Sequence, residues 1–214
     1  MEDISEPAAE VLNPWVSIWR QPRATIRQIV ATDPERYVTA IAAITGASST
    51  LNRASNHNAG DKLDFWQILA IGLLVGPIAG VVGLYLGAVL VRWTGKWMGG
   101  QASTLHLRAA MAWASVPLVV AAVVWLPELL MVGREMFTAE TPRLDARPVL
   151  ALLMLAMFVL EAVAGIWAFV LNCKCVGEVQ GFSAWKALGN LLLAFLLLVA
   201  PFVVLGFAVG VLRS

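Results

Sequence analysis

Charge is scarce in this sequence. Asp, Glu, Lys and Arg supply 14% of its residues, against about 25% in an ordinary soluble domain. With hydrophobic residues at 59% and a mean hydropathy of +0.77, one soluble core could not hide the apolar surface. That excludes the soluble globular class and points to an integral membrane protein. Net charge is only +1, so nothing calls for nucleic acid as a partner. Cysteine is nearly absent. The two present, Cys173 and Cys175, are one residue apart, too close for an ordinary disulfide and too few for a metal site. Reduced thiols facing the cytoplasm are the expectation. Histidine is limited to His57 and His106. No Ser-His-Asp set, HExxH motif or carboxylate pair occurs, so neither catalysis nor a cofactor or metal is expected. The opening residues, MEDISEPAAEVLN, lack the basic start and early apolar run of a secretory signal. Residues 1–12 read as a disordered acidic tail, and the first apolar segment as a permanent helix.

Long apolar runs are plentiful. Segments 67–91, 107–132, 149–171 and 187–212 each approach the roughly 20 residues that span a bilayer core. A weaker one, 34–51, is rich in small and hydroxyl residues and needs shielding by neighbouring helices. Asp33 is expected to cap it and Pro34 to open it. The fold class expected is all-α, a membrane bundle of five transmembrane helices over 34–214. Residues 13–33 precede it as two short helices beginning at Pro14 and Pro22. Trp15, Ile18 and Trp19 give one an apolar side, and Ile26, Ile29 and Val30 the other. Arg23 and Arg27 flank that second face, which suits an amphipathic helix at the cytoplasmic interface. Packing on the cytoplasmic end of the bundle is the equal alternative.

Five spans place nine Lys and Arg on the N-terminal side and six on the other. That bias favours a cytoplasmic N-terminus. Trp66, Trp93, Trp97 and Trp185 sit at span ends, as an aromatic belt requires. In the second span Gly72, Gly76 and Gly80 recur every four residues. They flatten one helix face for close packing, more readily inside the bundle than with a second copy.

Three stretches around these spans carry a family likeness: NPWVSIWRQPRATIRQIV, GGQASTLHLRAAMAWASVP and CVGEVQGFSAWKAL. In that order and spacing the chain resembles the Yip1 family of small polytopic membrane proteins, in its bacterial form. The likeness runs from about Asn13 to the last span. It implies five transmembrane helices, a cytoplasmic N-terminus and residence in the bacterial inner membrane. It implies a trafficking-like or membrane-organising role, because eukaryotic members bind small GTPases and one another. The matching positions are Asn13, Pro14, Trp15, Pro22 and Arg23; Gly99, Gly100, Arg108, Ser115 and Pro117; and Gly177, Glu178, Gly181, Phe182 and Ser183. Gln180 departs from the family, whose members often carry His there, which removes proton transfer from that position.

Under five spans the three stretches meet on one cytoplasmic surface. Its candidate residues are Trp15, Arg23, Gly99, Gly100, Ser103, Arg108, Glu178, Gly181, Phe182 and Ser183. The loop GGQAST lacks the Lys and preceding strand of a phosphate loop. Ser103 is expected to cap the third membrane helix, with Gly99 and Gly100 making the turn and Pro117 inside the span. Arg108 lies in the first turns of that helix, where the dipole disfavours a cation. Glu178 is its first candidate partner and a lipid phosphate the second, with snorkelling as the plain alternative. Glu161 stands inside an apolar run, where a carboxylate costs about 2.5–3.5 kcal/mol. Its expected partners are Thr45, Ser48 and Ser49, or Ser115. Glu128 is expected to reach water near the outer face. The leading expectation is a non-enzymatic protein binding membrane lipids and a protein partner, or itself. The alternative is a solute transporter or lipid-moving protein working through Glu161.

Overall fold

The computed structural model describes residues 11–213. Most of the expected acidic tail, residues 1–10, lies outside them. Leu12, by contrast, exchanges two backbone hydrogen bonds with the Gln28 side-chain amide, each 2.9 Å. The fold is all-α, with no strand among the described residues. Its helices are α1 (Pro14–Ser17), α2 (Pro22–Thr32), α3 (Val38–Asn56), α4 (Phe65–Trp97), α5 (Thr104–Ala114), α6 (Val116–Ala122), α7 (Trp125–Met131), α8 (Pro142–Asp145), α9 (Pro148–Gln180) and α10 (Ala184–Arg213).

Three helices are long and apolar enough to cross a membrane: α4, α9 and α10 over Ala184–Leu205. A bent pair of helices is long and apolar enough only when taken together. Thr104–Ala114 and Val116–Met131 meet at a bend of 41°. Pro117, in the first turn of α6, has no N–H to carry the preceding helix through. The fifth expected span, α3, is 19 residues long but too polar to count among the candidate membrane-crossing helices.

α3 nevertheless packs lengthwise on α4. It leaves the α2 end, and beyond its last turns Gly60 lies against the backbone of Phe137. Ser55 Oγ also donates to Met136 O there, at 2.6 Å. Its partner along the way is the glycine face of α4. A Cβ on Gly46 would strike the Gly76 carbonyl, and one on Gly80 the Ala42 carbonyl. Three α3 hydroxyls turn back on their own helix: Thr45 to Ile41 O at 2.9 Å, Ser48 to Ile44 O at 3.1 Å and Thr50 to Gly46 O at 2.9 Å. Such back-bonds use up the hydroxyl donors.

The start of α3 differs from expectation. Asp33 closes α2 instead of capping α3, and its Oδ1 accepts from Glu35 N at 3.2 Å. Pro34 lies in the turn that follows, and α3 begins only after Tyr37, in a left-handed conformation at φ 59°. Of the two readings of α2, packing on the bundle is observed. Thr25, Ile26 and Ile29 are buried against protein, and Arg27 points outward. Ile26 and Ile29 belong to the larger apolar core, with Leu107, Trp113, Leu171 and Val176. A smaller core of Leu51, Ile68, Trp125 and Phe137 closes the far end. Glu128, expected to reach water, is buried there in α7 at 4% exposure.

Candidate functional site

The α2 end is built from two helix joints. The first, residues 98–103, turns at Gly99, whose φ of +84° is open to glycine without strain. Ser103 then caps α5, its hydroxyl accepting from His106 N at 3.1 Å. The second joint ends α9 at Gly181, φ +72°. Gly181 N donates to Glu178 O at 3.2 Å and Phe182 N to Gly177 O at 2.6 Å, a left-handed glycine stop. Ser183 starts α10 by accepting from Lys186 N at 3.2 Å. Phe182 is buried, with the Lys186 ammonium 4.3 Å from its ring centroid.

Gln180 stitches the joints together. It is buried, donates Nε2 to Val91 O at 3.3 Å and accepts from Ala102 N at 3.2 Å. Asn190 Nδ2 donates to the same Val91 carbonyl at 3.2 Å, and Thr94 Oγ1 donates to Asn190 Oδ1 at 2.5 Å. Gly95 and Gly100 make room for this amide: a Cβ on either would collide with Gln180. Sequence reasoning missed Thr94 and Asn190. Their signal was a lone polar side chain inside an apolar run.

Charged groups lock α2 over the second joint. Glu178 accepts from Arg27 at 2.6 Å and from Arg23 at 3.4 Å, and Arg23 also reaches Phe182 O at 3.4 Å. Arg108 does not meet Glu178. Its guanidinium pairs with Glu35 at 2.9 Å and stacks over Tyr85, 4.3 Å from the ring centroid. The expected pairing is therefore corrected: the α2–α3 turn folds across α5 and supplies the anion first. Trp15 joins Trp113 and Tyr37, with centroids 5.0 and 5.8 Å away, and Trp113 Nε1 donates to Arg36 O at 3.2 Å. Arg92 Nε is buried without a hydrogen-bond partner. Both thiols, expected to face the cytoplasm, are buried, Cys175 completely.

The two intramembrane candidates lie elsewhere. A cleft of about 560 Å³ runs between α3, α4, the α5–α6 break and α9, lined among others by Thr45, Ser49, Arg53, Ser115 and Asn172. A chamber of about 90 Å³ adjoins it and shares Thr45, Ser49 and Leu118. Ser48, Asn52, Trp125 and Glu161 line this second space. Thr45, Ser48 and Ser49 thus line the same space as Glu161 but are not the hydrogen-bond partners expected of them, because the Thr45 and Ser48 hydroxyls bond back to α3. Ser115 lines the larger cleft and donates to Met111 O at 3.0 Å. Glu161 Oε1 and Asn172 Oδ1 are buried without partners.

The candidate face thus divides by role. Gly99, Gly100, Ser103, Gly181 and Ser183 shape the joints. Arg23, Glu178 and Phe182 fasten α2 to them, and Arg108 and Trp15 hold the α2–α3 turn. The outward surface left over is basic, with Arg20, Arg27 and Lys96 exposed. Exposed cations of this kind can pair with acidic groups. The family model for the Yip1 domain matches residues 16–206. No curated protein and no solved structure matches the chain.

Proposed function

The chain belongs to the Yip1 family, and from that premise we propose a non-enzymatic, multi-pass membrane protein of the bacterial inner membrane. Its work is to present one cytoplasmic face to an acidic protein surface or to anionic lipid headgroups. Five spans cross the membrane in this reading, with the N-terminus inside. The close packing of α3 on the glycine face of α4 supports the fifth. α2, the 98–103 joint and the 181–183 joint then share one side, the side richer in Lys and Arg.

One observation carries the proposal. Glu178 holds Arg23 and Arg27, and Gln180 beside it accepts from Ala102 N, so three separate stretches of chain form a single fixed surface. Exposed cations on such a surface are drawn to the anionic inner leaflet or to an acidic partner. Arg20 and Lys96 are the residues to reverse, because neither enters an ion pair among the described residues. Lipids and proteins co-purifying with wild type are compared with those of an Arg20→Glu, Lys96→Glu variant. Loss of anionic lipid or of an acidic partner is the expected result. Identical sets from the two proteins overturn the proposal.

A further inference from the structure

The cleft between α3 and α9 holds opposite charges that do not touch. Glu161 lines its small chamber beside Asn52, and Arg53, the next residue on α3, lines the large one. Neither charge enters an ion pair among the described residues. Glu161 Oε1 is also buried with no hydrogen-bond partner. A carboxylate at membrane depth demands a cation or donor, and an unengaged guanidinium is a receptor for phosphate. The two spaces adjoin, and Arg53, exposed at the α3 C-terminal end, follows directly on Asn52 of the acid's chamber.

The remaining lining narrows the chemistry. Thr45 has given its hydroxyl proton to Ile41 O, and Ser115 its own to Met111 O. These groups offer the cleft only lone pairs. Asn172 Oδ1, also unpartnered, adds another acceptor some 16 Å along α9. Around the acid, Trp125 supplies one side-chain donor and Oε1 stays without one, and the adjoining cleft carries one cation, Arg53. A simple cation answers Glu161 and is repelled by Arg53. A simple anion does the reverse. A zwitterion with N–H donors at one end and a phosphate at the other answers both.

We propose that this cleft binds the headgroup of an amine-bearing zwitterionic phospholipid, its ammonium at Glu161 and its phosphate at Arg53. The site is separate from the cytoplasmic face and does not depend on it. Phosphatidylethanolamine has the matching groups. Phosphatidylcholine has the same charges but no N–H to donate, and phosphatidylglycerol has no amine. The acyl chains lie outside the cleft, along apolar side chains exposed beside it such as Ile44 and Val120.

The test is competitive lipid binding to the purified full-length protein, read by native mass spectrometry with dioleoyl lipids of the three headgroups. Wild type retains phosphatidylethanolamine about tenfold over the other two, the scale of one charge-assisted hydrogen bond. Glu161→Gln brings it down to the phosphatidylcholine level, and Arg53→Gln weakens all three. The wild-type ranking needs no variant, so a misfolded mutant cannot mask it. Equal retention of the three lipids by wild type overturns the proposal, as does a Glu161→Gln protein that keeps the preference. Water-soluble phosphoethanolamine that competes as well as the lipid also overturns it, because the site would then not require a lipid.

Discussion

The joint around Gln180 and the cleft around Glu161 are both polar regions of an apolar bundle, yet they treat their polar groups differently. At the joint, Gln180, Asn190 and Thr94 spend their hydrogen bonds on one another and on the Val91 and Ala102 backbone. Glu178 engages two arginines and Glu35 a third. At the cleft, Glu161 Oε1 and Asn172 Oδ1 are buried with no hydrogen-bond partner, and Arg53, exposed at its mouth, has no counter-ion among the described residues. A buried polar group without a partner is destabilising. A region that keeps such groups is shaped by something other than stability. The joint is a fastener and the cleft a receptor, and that contrast can be attacked from both sides.

The largest effect belongs to the α3–α4 seam, which forms one wall of the cleft. Gly80→Leu drives a side chain into the Ala42 carbonyl and the Gly46 backbone, neither of which can yield. A loss of about 3 kcal/mol is expected, as for severe overpacking. The detergent-solubilised protein should show it as a lowered unfolding midpoint. Gly83→Leu, one turn on, meets nothing within 4 Å and should leave the midpoint unchanged. Equal damage from the two would mean that α3 is not seated on that glycine face.

Next comes Gln180→Leu. It strips partners from the Ala102 N–H and removes one of two donors to Val91 O, deep in the joint. The expected cost is about 2 kcal/mol, within the range for leaving buried polar groups unsatisfied. Glu178→Ala follows at about 1 kcal/mol, because its arginine partners are largely exposed and solvent-screened. Its clearer signature is local. Amide exchange across Pro22–Thr32 should speed up while α4 and α10 stay protected. If exchange in α2 does not change, the apolar contacts of Ile26 and Ile29 hold the helix without Glu178.

Much of the joint was legible from residue types. Ser103 as a cap and the left-handed Gly99 follow from local chemistry that operates within four residues. The glycine spacing of α4 announced a close packing face, and small residues in 34–51 announced a helix that needs shielding. What could not be read was long-range. Arg108 called for an anion, but Glu35 lies in a turn with no periodicity to say what it folds over. Asn190 and Thr94 stand out as polar residues in apolar runs, yet only the fold shows that they face each other and Gln180. The late start of α3 depends on a left-handed Tyr37, a conformation that residue type does not favour. Glu161 was conspicuous for the converse reason: its meaning lay in the apolar residues around it, which sequence displays directly.

The smallest expected effect is the sharpest test of the contrast. Glu161→Gln removes a charge that no cationic side chain pairs with among the described residues, and the glutamine amide keeps an oxygen to accept from Trp125 beside it. Stability should stay within about 0.5 kcal/mol of wild type or rise, as for a substitution outside any structural network. Set beside Gln180→Leu, this gives two changes to buried polar side chains on α9 with opposite expectations. The unfolding midpoint of the two variants, measured in one detergent without added lipid, checks the difference. If Glu161→Gln is as damaging as Gln180→Leu, the acid is clasping α3 to α9, and the distinction between fastener and receptor collapses. If the midpoint holds and lipid selectivity falls, the bundle is stable without that charge, and Glu161 is kept for what it binds.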